Sequence, residues 1–311
     1  MDHATQSHAD QALIDSHHHF WNLNGDVYYP WLTDQPVEFF LGDYRAICRT
    51  LLPEELRAKV PKGYRLLGSV HCEAEAERTQ CVVETEWITE LSRHSGLPSA
   101  HVGWAPFGKR ECAAVLDAQC KSPLFRGVRA KPVTAPRPEQ AKAMYGQPRT
   151  LQDKRWLEGL ALLEERRLSW DLRVPAWHLK DAAIALEAVP ELRVVLNHTG
   201  LPWDRSKAGL QTWREGMHRL ADNPNVCVKL SELGSPWYPW RREDNLPLLC
   251  EALTIFGPER CLYASNFPVS GLQVSYADWL ALVEEAIAQT YPQARDAVLF
   301  RNACYWYRLN V

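Results

Sequence analysis

From residue 12 onward the chain alternates two hydrophobic patterns. Short apolar runs with the length of buried strands occupy residues 12–16, 65–70, 100–105, 127–131, 168–174, 193–197, 226–230 and 261–265. Between them, over 79–91, 156–165, 181–189, 210–220, 246–256 and 277–288, apolar residues recur at helical spacing. Such alternation predicts βαβ units and a parallel sheet. Eight strand runs in 311 residues predict one α/β domain, a single (β/α)8 TIM barrel over residues 12–311. A doubly wound open sheet is the alternative, but no G-x-G-x-x-G or G-x-x-x-x-G-K turn occurs. Two connections, 20–42 and 132–153, are long enough to be lids or binding loops. Residues 1–11 are polar and predict an unstructured N-terminal extension.

Composition narrows the partners. Lys and Arg number 35 against 38 Asp and Glu, a formal net charge of -3, so no basic excess marks a nucleic-acid binder. No apolar run approaches the ~18 residues of a membrane span. The nine Cys are odd in number and scattered, and none has C-x-x-C spacing. They predict reduced thiols in a cytoplasmic protein. Small-molecule substrates are the expected partners, and self-association into a homo-oligomer stays an open alternative.

In a parallel barrel, chemistry belongs where strands end. Side chains alternate along a strand, so residues two apart share a face. On that parity, strand one offers Asp15, His17 and His19, and strand two offers His71 and Glu73. Strand four offers Arg129 and Lys131, strand five Asp171 and Arg173, and strand six His198. Strand seven offers Lys229 and Ser231, and strand eight ends in Asn266. A barrel interior wants branched apolar residues, so this much polarity converging on one mouth reads as a site. His17 and His19 aim two imidazoles at one point, which suits a divalent metal or two hydrogen bonds to one oxygen. No G-x-S-x-G elbow is present and Ser231 has no evident base beside it. Cys72 and Cys227 read as packing residues. Trp21, Trp31, Trp203, Trp237 and Trp240 fall in loops after strands one, six and seven, and the run from Ser235 to Trp240 could wall a sugar ring.

Several stretches resemble a known family. They are Ile14-Asp15-Ser16-His17-His18-His19-Phe20-Trp21, Phe125-Arg126-Gly127-Val128-Arg129 and Ser169-Trp170-Asp171-Leu172. Val195-Leu196-Asn197-His198-Thr199-Gly200-Leu201-Pro202 and the segment from Phe256 to Val269, with Ala264-Ser265-Asn266-Phe267-Pro268 inside it, complete the set. Together they resemble the amidohydrolase superfamily, in the branch of sugar-lactone and dicarboxylate lactonases. The resemblance implies hydrolysis of an ester, lactone or amide, or in sister branches decarboxylation of aromatic acids. It implies that His17 and His19 polarise a carbonyl, directly or through a metal, and that His198 orients the water or binds the carbonyl oxygen. The family's strand-eight Asp, a metal ligand and general base, is replaced here by Asn266, whose neutral amide cannot accept the water's proton and contributes no charge to a metal. Strand five lacks a His at its end, and His178 lies several residues further on.

These departures favour a lactonase that needs no metal, or holds a divalent ion such as Zn weakly through His17, His19 and His198. The expected catalytic set is His17, His19, His198, Asn266 and Glu73, with Asn266 orienting water and Glu73, Asp171 or a histidine taking the proton. The expected substrate-binding set is His71, Arg129, Arg173, Lys229 and Trp237, the cations anchoring an acidic or hydroxylated lactone. A metal-dependent decarboxylase and a non-catalytic ligand-binding protein are the alternatives.

Overall fold

The computed structural model describes residues 10–311. Its strands are β1 (Gln11–His18), β2 (Tyr64–Cys72), β3 (Ala100–Gly103), β4 (Phe125–Val128), β5 (Ser169–Leu172), β6 (Val194–Leu196), β7 (Val226–Leu230) and β8 (Cys261–Tyr263). They pair in parallel in the order β1 to β8. A parallel bridge between His18 and Phe267 closes the ring, supported by the His19 N–H donating to the Phe267 carbonyl at 2.7 Å. The expected barrel is therefore the fold. Gln11, placed in the anticipated extension, belongs to β1, and residues 1–9 of that expectation lie outside the described residues.

The strands are apolar on both faces because both are covered. Ile14, Val70, Cys72, Ala100, Val102, Val195, Cys227 and Leu262 pack inside the barrel. Leu13, Val128, Trp170, Val194, Leu196, Val226 and Val228 pack outward against the helices. Three of those helices start at side-chain caps: Asp153 before Lys154–Glu165, Ser206 before Lys207–Ala221, and Ser275 before Tyr276–Thr290. The chain end then turns under the barrel. Ala303, Trp306 and Tyr307 of the helix Asn302–Tyr307, with Leu309 after it, join the interior cluster. Arg126, just inside β4, donates to the Tyr307 carbonyl at 3.1 Å, which puts this plug at the end of the barrel opposite the mouth.

Two register shifts separate β1 from simple alternation. Leu13 pairs with Leu66 but Ile14 with Gly68, and Asp15 pairs with Ser69 but His18 with His71. Such bulges re-aim the residues that follow them. Ile14 and His17 both reach the interior although three residues apart, and Asp15 turns aside to accept from the Ser265 N–H at 2.9 Å and the Ser265 hydroxyl. The expectation that Asp15 shares a face with His17 fails for that reason. Gly68 sits where a Cβ would meet Ser99 Oγ at 2.5 Å, so the bulged partner strand has no room for a side chain there.

Candidate active site

A cleft of about 280 Å³ opens at the carboxyl ends of the strands, at the small end of the usual range for small-molecule sites. Its floor is His19, His198 and Asn266, its charged wall Glu75, Arg129, Lys131 and Arg173, and its apolar wall Trp31, Val37, Phe39, Phe40, Ala74 and Val269. The long connection 20–42 supplies Trp31, Val37, Phe39 and Phe40 to the cleft wall. The other, 132–153, contributes no side chain to the wall. His198 and Asn266 stand at φ +55° and +51°, and Glu232, just after β7, at +41°. Non-glycine residues in that region carry strain that surrounding structure must hold in place, and they concentrate at functional sites.

Three cations face this small volume. Arg129 is nearly buried and is clamped by Glu73, its Nε donating to Oε1 at 2.8 Å and one terminal nitrogen to the Glu73 carbonyl at 2.6 Å. Lys131 pairs with Glu75, and burial pushes its ammonium down to about 8. Arg173 lies over the rings of Phe40 and Trp203, each 5.7 Å from its guanidinium carbon. Burial, and next the neighbouring Arg129, lower Arg173 to about 10. Among the described residues no hydrogen bond or ion pair holds its guanidinium, so its donors are free for a ligand.

The floor is electrically neutral. His19 Nδ1 sits 2.8 Å from the Cys72 carbonyl, which can only accept, so Nδ1 carries the hydrogen and Nε2 is left with a lone pair toward the cleft. Burial, then the Arg129 charge, lowers the His19 imidazole to about 3. His198 Nδ1 is 3.0 Å from the Ser231 hydroxyl, and burial followed by the charges of Arg173 and Arg129 keeps that ring far below the usual histidine range. Asn266 Oδ1 lies 3.3 Å from His19 Nε2, and its Nδ2 donates to Glu232 at 2.7 Å.

Beneath the floor lies a second polar layer. Lys229 is fully buried with its Nζ 2.7 Å from Asp171 Oδ2, 3.1 Å from His17 Nδ1 and 3.6 Å from Cys72 Sγ. Asp171 also accepts from the Tyr307 hydroxyl at 2.8 Å and from Asn197 Nδ2 at 3.2 Å. His17 therefore has a cation at each nitrogen, since an Arg129 terminal nitrogen lies 3.4 Å from its Nε2. Burial, and then Lys229, hold it neutral.

The structure tests the metal expectation at this layer. The rings of His17, His19 and His198 are close, with His17 4.6 Å from His198 and 5.0 Å from His19 between centroids. Among the described residues, however, the donor atoms that converge within 4.8 Å are those of His17, Cys72 and Asp171. The Lys229 ammonium is within contact of all three, where an ion would have to sit. Burial also pushes the Cys72 thiol up to about 12, and a thiol is a poor ligand compared with a thiolate. These residues do not fit a divalent metal while Lys229 is charged and in place.

The sequence-predicted residues divide accordingly. His19, His198, Asn266, Arg129 and Arg173 meet in one cleft. His17 and Lys229 lie directly below it, and Lys229 has no open path to a ligand. His71 does not join them. Val70 and Cys72 take the inner face of β2, so His71 faces the helix layer, where its ring meets His101 Nδ1 at 3.1 Å and the Phe20 carbonyl at 3.1 Å. Glu73 does not line the cleft, and its carboxylate oxygens are taken up by Arg129, Arg78 and the Glu75 N–H. Burial alone would raise the Glu73 carboxyl, but Arg129, Arg78 and Lys131 outweigh that and hold it at about 2. Its role is to hold Arg129. Trp237 stacks on Trp177 at 5.8 Å, outside the cleft wall, and the aromatic wall comes instead from Trp31, Phe39 and Phe40. Sequence reasoning missed Glu232, although a carboxylate one residue beyond Ser231 at a strand end was a signal in plain view.

With this fold and a histidine-floored, cation-walled mouth, the chain has the build of a barrel hydrolase. It belongs to the amidohydrolase family, whose model matches residues 14–309. It is 33% identical over 302 residues to protein y4mH of Sinorhizobium fredii, covering 97% of this chain and 100% of the relative. It is 26% identical over 312 residues to an L-fucono-1,5-lactonase of Burkholderia ambifaria, covering 96% of each. A crystal structure of an amidohydrolase from Burkholderia multivorans with bound Zn matches at a TM-score of 0.77 and 27% identity, covering 96% of this chain and all of that one. No helix among the described residues is long and apolar enough to cross a membrane.

Proposed function

We propose that this protein hydrolyses a small lactone bearing a carboxylate or the hydroxyls of a sugar acid. The observation that carries the proposal is Arg129, Lys131 and Arg173 facing a floor of His19, His198 and Asn266 in one small cleft. Charge-assisted hydrogen bonds from the two guanidiniums and the ammonium would fix an acidic or oxygen-rich ring. They would also meet the oxyanion that forms when water adds to the lactone carbonyl. His19 is the base: its Nε2 lone pair faces the cleft, and the Cys72 carbonyl on Nδ1 fixes the tautomer and supports the charge that develops when Nε2 accepts the water's proton. Asn266 orients that water and does not deprotonate it. His198, its Nδ1 held by the Ser231 hydroxyl, stands across the floor to hydrogen-bond the carbonyl or the opening ring oxygen.

Nothing in this scheme routes through a metal, and Lys229 supplies the positive charge below His17. A divalent ion that did enter would be held weakly. The relatives named L-fucono-1,5-lactonase make six-membered sugar lactones the first substrates to try. The test is a panel of sugar-acid and dicarboxylate lactones assayed by acid release, with and without a strong chelator. The proposal expects turnover on at least one lactone that survives the chelator. Binding without turnover across the panel would favour the ligand-binding alternative, tight stoichiometric metal with no lactone turnover would favour the decarboxylase chemistry of sister branches, and lactone turnover abolished by the chelator would overturn the metal-free scheme.

A further inference from the structure

Glu232 enters none of the steps above, yet its carboxylate is one of the most fully engaged groups at the mouth. It is 3% exposed and lies two residues past the end of β7. Oε1 accepts the Gly234 N–H at 2.9 Å, and Oε2 accepts the Ser270 hydroxyl at 2.8 Å and Asn266 Nδ2 at 2.7 Å. A carboxylate oxygen in this position only accepts, so the Asn266 amide has one allowed orientation. Its nitrogen must point at Glu232 and its oxygen at His19. Flipping it would set two oxygens 2.7 Å apart.

The consequence falls on the floor of the cleft. His19 Nδ1 is committed to the Cys72 carbonyl, so Nε2 offers a lone pair. Asn266 Oδ1, 3.3 Å away, offers another. Two acceptors at that distance do not satisfy each other. A molecule bringing two O–H hydrogens satisfies both, and water is the smallest that does.

We propose that Glu232 is a positioning residue that locks Asn266 so that its oxygen and His19 Nε2 form a two-acceptor seat for the attacking water. The seat rests on the hydrolase reading above. The carboxylate that strand eight lacks is thus present one strand earlier, acting through Asn266 in place of touching the water. On attack, the water oxygen bonds the lactone carbonyl carbon, one hydrogen passes to His19 Nε2, and the other stays on the oxygen, donated to Asn266 Oδ1. Collapse of the adduct breaks the ring C–O bond, and the proton returns from His19 to the departing alkoxide.

The test is a set of variants: Glu232→Gln, Asn266→Asp and the double variant, read by kcat, KM and pH profile. Glu232→Gln lets Asn266 adopt both orientations and should lower kcat by roughly 10²-fold, the scale of a misplaced reacting group, with KM changed by less than about threefold. Asn266→Asp sets two carboxylates against each other and should be impaired, with an added ionisation in its pH profile. In the double variant the amide introduced on β7's side donates to the carboxylate introduced after β8, whose other oxygen restores the seat. There kcat should recover by about tenfold or more and the added ionisation should vanish. Glu232→Gln that loses thermal stability but keeps kcat within about twofold, or effects that add with no rescue, would overturn the proposal. A readout independent of turnover is ¹⁵N NMR of the wild-type protein. His19 should hold its hydrogen on Nδ1 from pH 5 to 8, and the Asn266 side-chain NH₂ should give a single shifted pair of resonances that Glu232→Gln collapses. Absence of turnover by wild type would defeat the hydrolase reading, whereas a His19 protonated on Nε2, or an Asn266 amide indifferent to Glu232, would defeat the seat itself.

Discussion

Replacing Lys229 by Ala should both weaken the fold and open a metal site. The ammonium is fully buried and has one carboxylate partner, Asp171, at 2.7 Å. Removing it leaves that carboxylate in the barrel interior with the Tyr307 hydroxyl, Asn197 Nδ2 and, at 3.9 Å, the weak Cys72 thiol as donors. Breaking a buried pair from one side costs about 3–5 kcal/mol, most of it the uncompensated charge. For a chain of this size each kcal/mol moves Tm by roughly 2 °C, so a fall of about 6–10 °C is expected by calorimetry. Adding Asp171→Asn should return more than half of it, because a neutral replacement of both partners removes the penalty. The space vacated by Nζ is bordered by an imidazole, a thiol and a carboxylate whose donor atoms lie within 4.8 Å of one another. That is a ligand set suited to Zn²⁺ or Co²⁺ once no cation repels the ion and Cys72 can give up its proton. Titrating the Ala variant with Co²⁺ should raise a thiolate-to-cobalt absorption band that wild type lacks. Stoichiometric, tight metal in wild type, with no gain in the variant, would refute the reasoning.

The remaining predictions concern the cleft wall and the buried histidines. Arg173→Met should raise KM for a carboxylate-bearing lactone by about 10–100-fold, the loss of one charge-assisted contact of roughly 1.5–3 kcal/mol. Tm should stay within a few degrees, because among the described residues no hydrogen bond or ion pair depends on that guanidinium; an unchanged KM would remove Arg173 from the substrate site. Stability should fall as pH drops from about 6.5 toward 4. His17, His18, His71 and His198 lie well below the usual range, His19 near 3 and His101 near 4, in each case chiefly through burial. Unfolding frees these rings to take up protons below about 6.5, so the unfolded state binds more protons and gains as pH falls. Asp15, raised to about 6, and Glu84, raised to about 8, act in the opposite sense, but they are two groups against six. The expected slope is on the order of several kcal/mol per pH unit near pH 5.5, and a Tm that is flat or rising from pH 7 to 5 would contradict it.

The barrel was legible because its strands carry long-range information in local form: short apolar runs, covered on both faces, spaced by helical periods. The site was legible where parity held through a strand and just beyond it. Asp171 and Arg173 are two apart, and both keep the inner face, one in the buried layer and one at the mouth. Cys227, Lys229 and Ser231 do the same from β7. Parity failed where backbone irregularity intervened. Bulges between β1 and β2 turn Asp15 away, and the chain turns after Cys72, so His71 and Glu73 part company. Depth along the barrel was not legible at all. Period-two patterning assigns a face but not a layer, which is why Lys229 looked like a substrate anchor until Asp171, His17 and Cys72 were seen closing around it. Glu232 stood in view next to Ser231, but φ +41° takes it off the strand's alternation, so parity did not select it.

The central claim is that an acid- or sugar-lactone is opened in this cleft by water activated at His19, without a bound metal. The direct measurement is single-turnover hydrolysis of a lactone substrate in H₂¹⁸O by protein stripped of metal, with His19→Gln beside wild type and folding checked by circular dichroism. The account predicts one ¹⁸O in the product carboxylate from stripped wild type at an undiminished rate, and a loss of roughly 10²-fold or more in His19→Gln. Hydrolysis that vanishes on stripping and returns with added zinc, or a folded His19→Gln variant as fast as wild type, would contradict it.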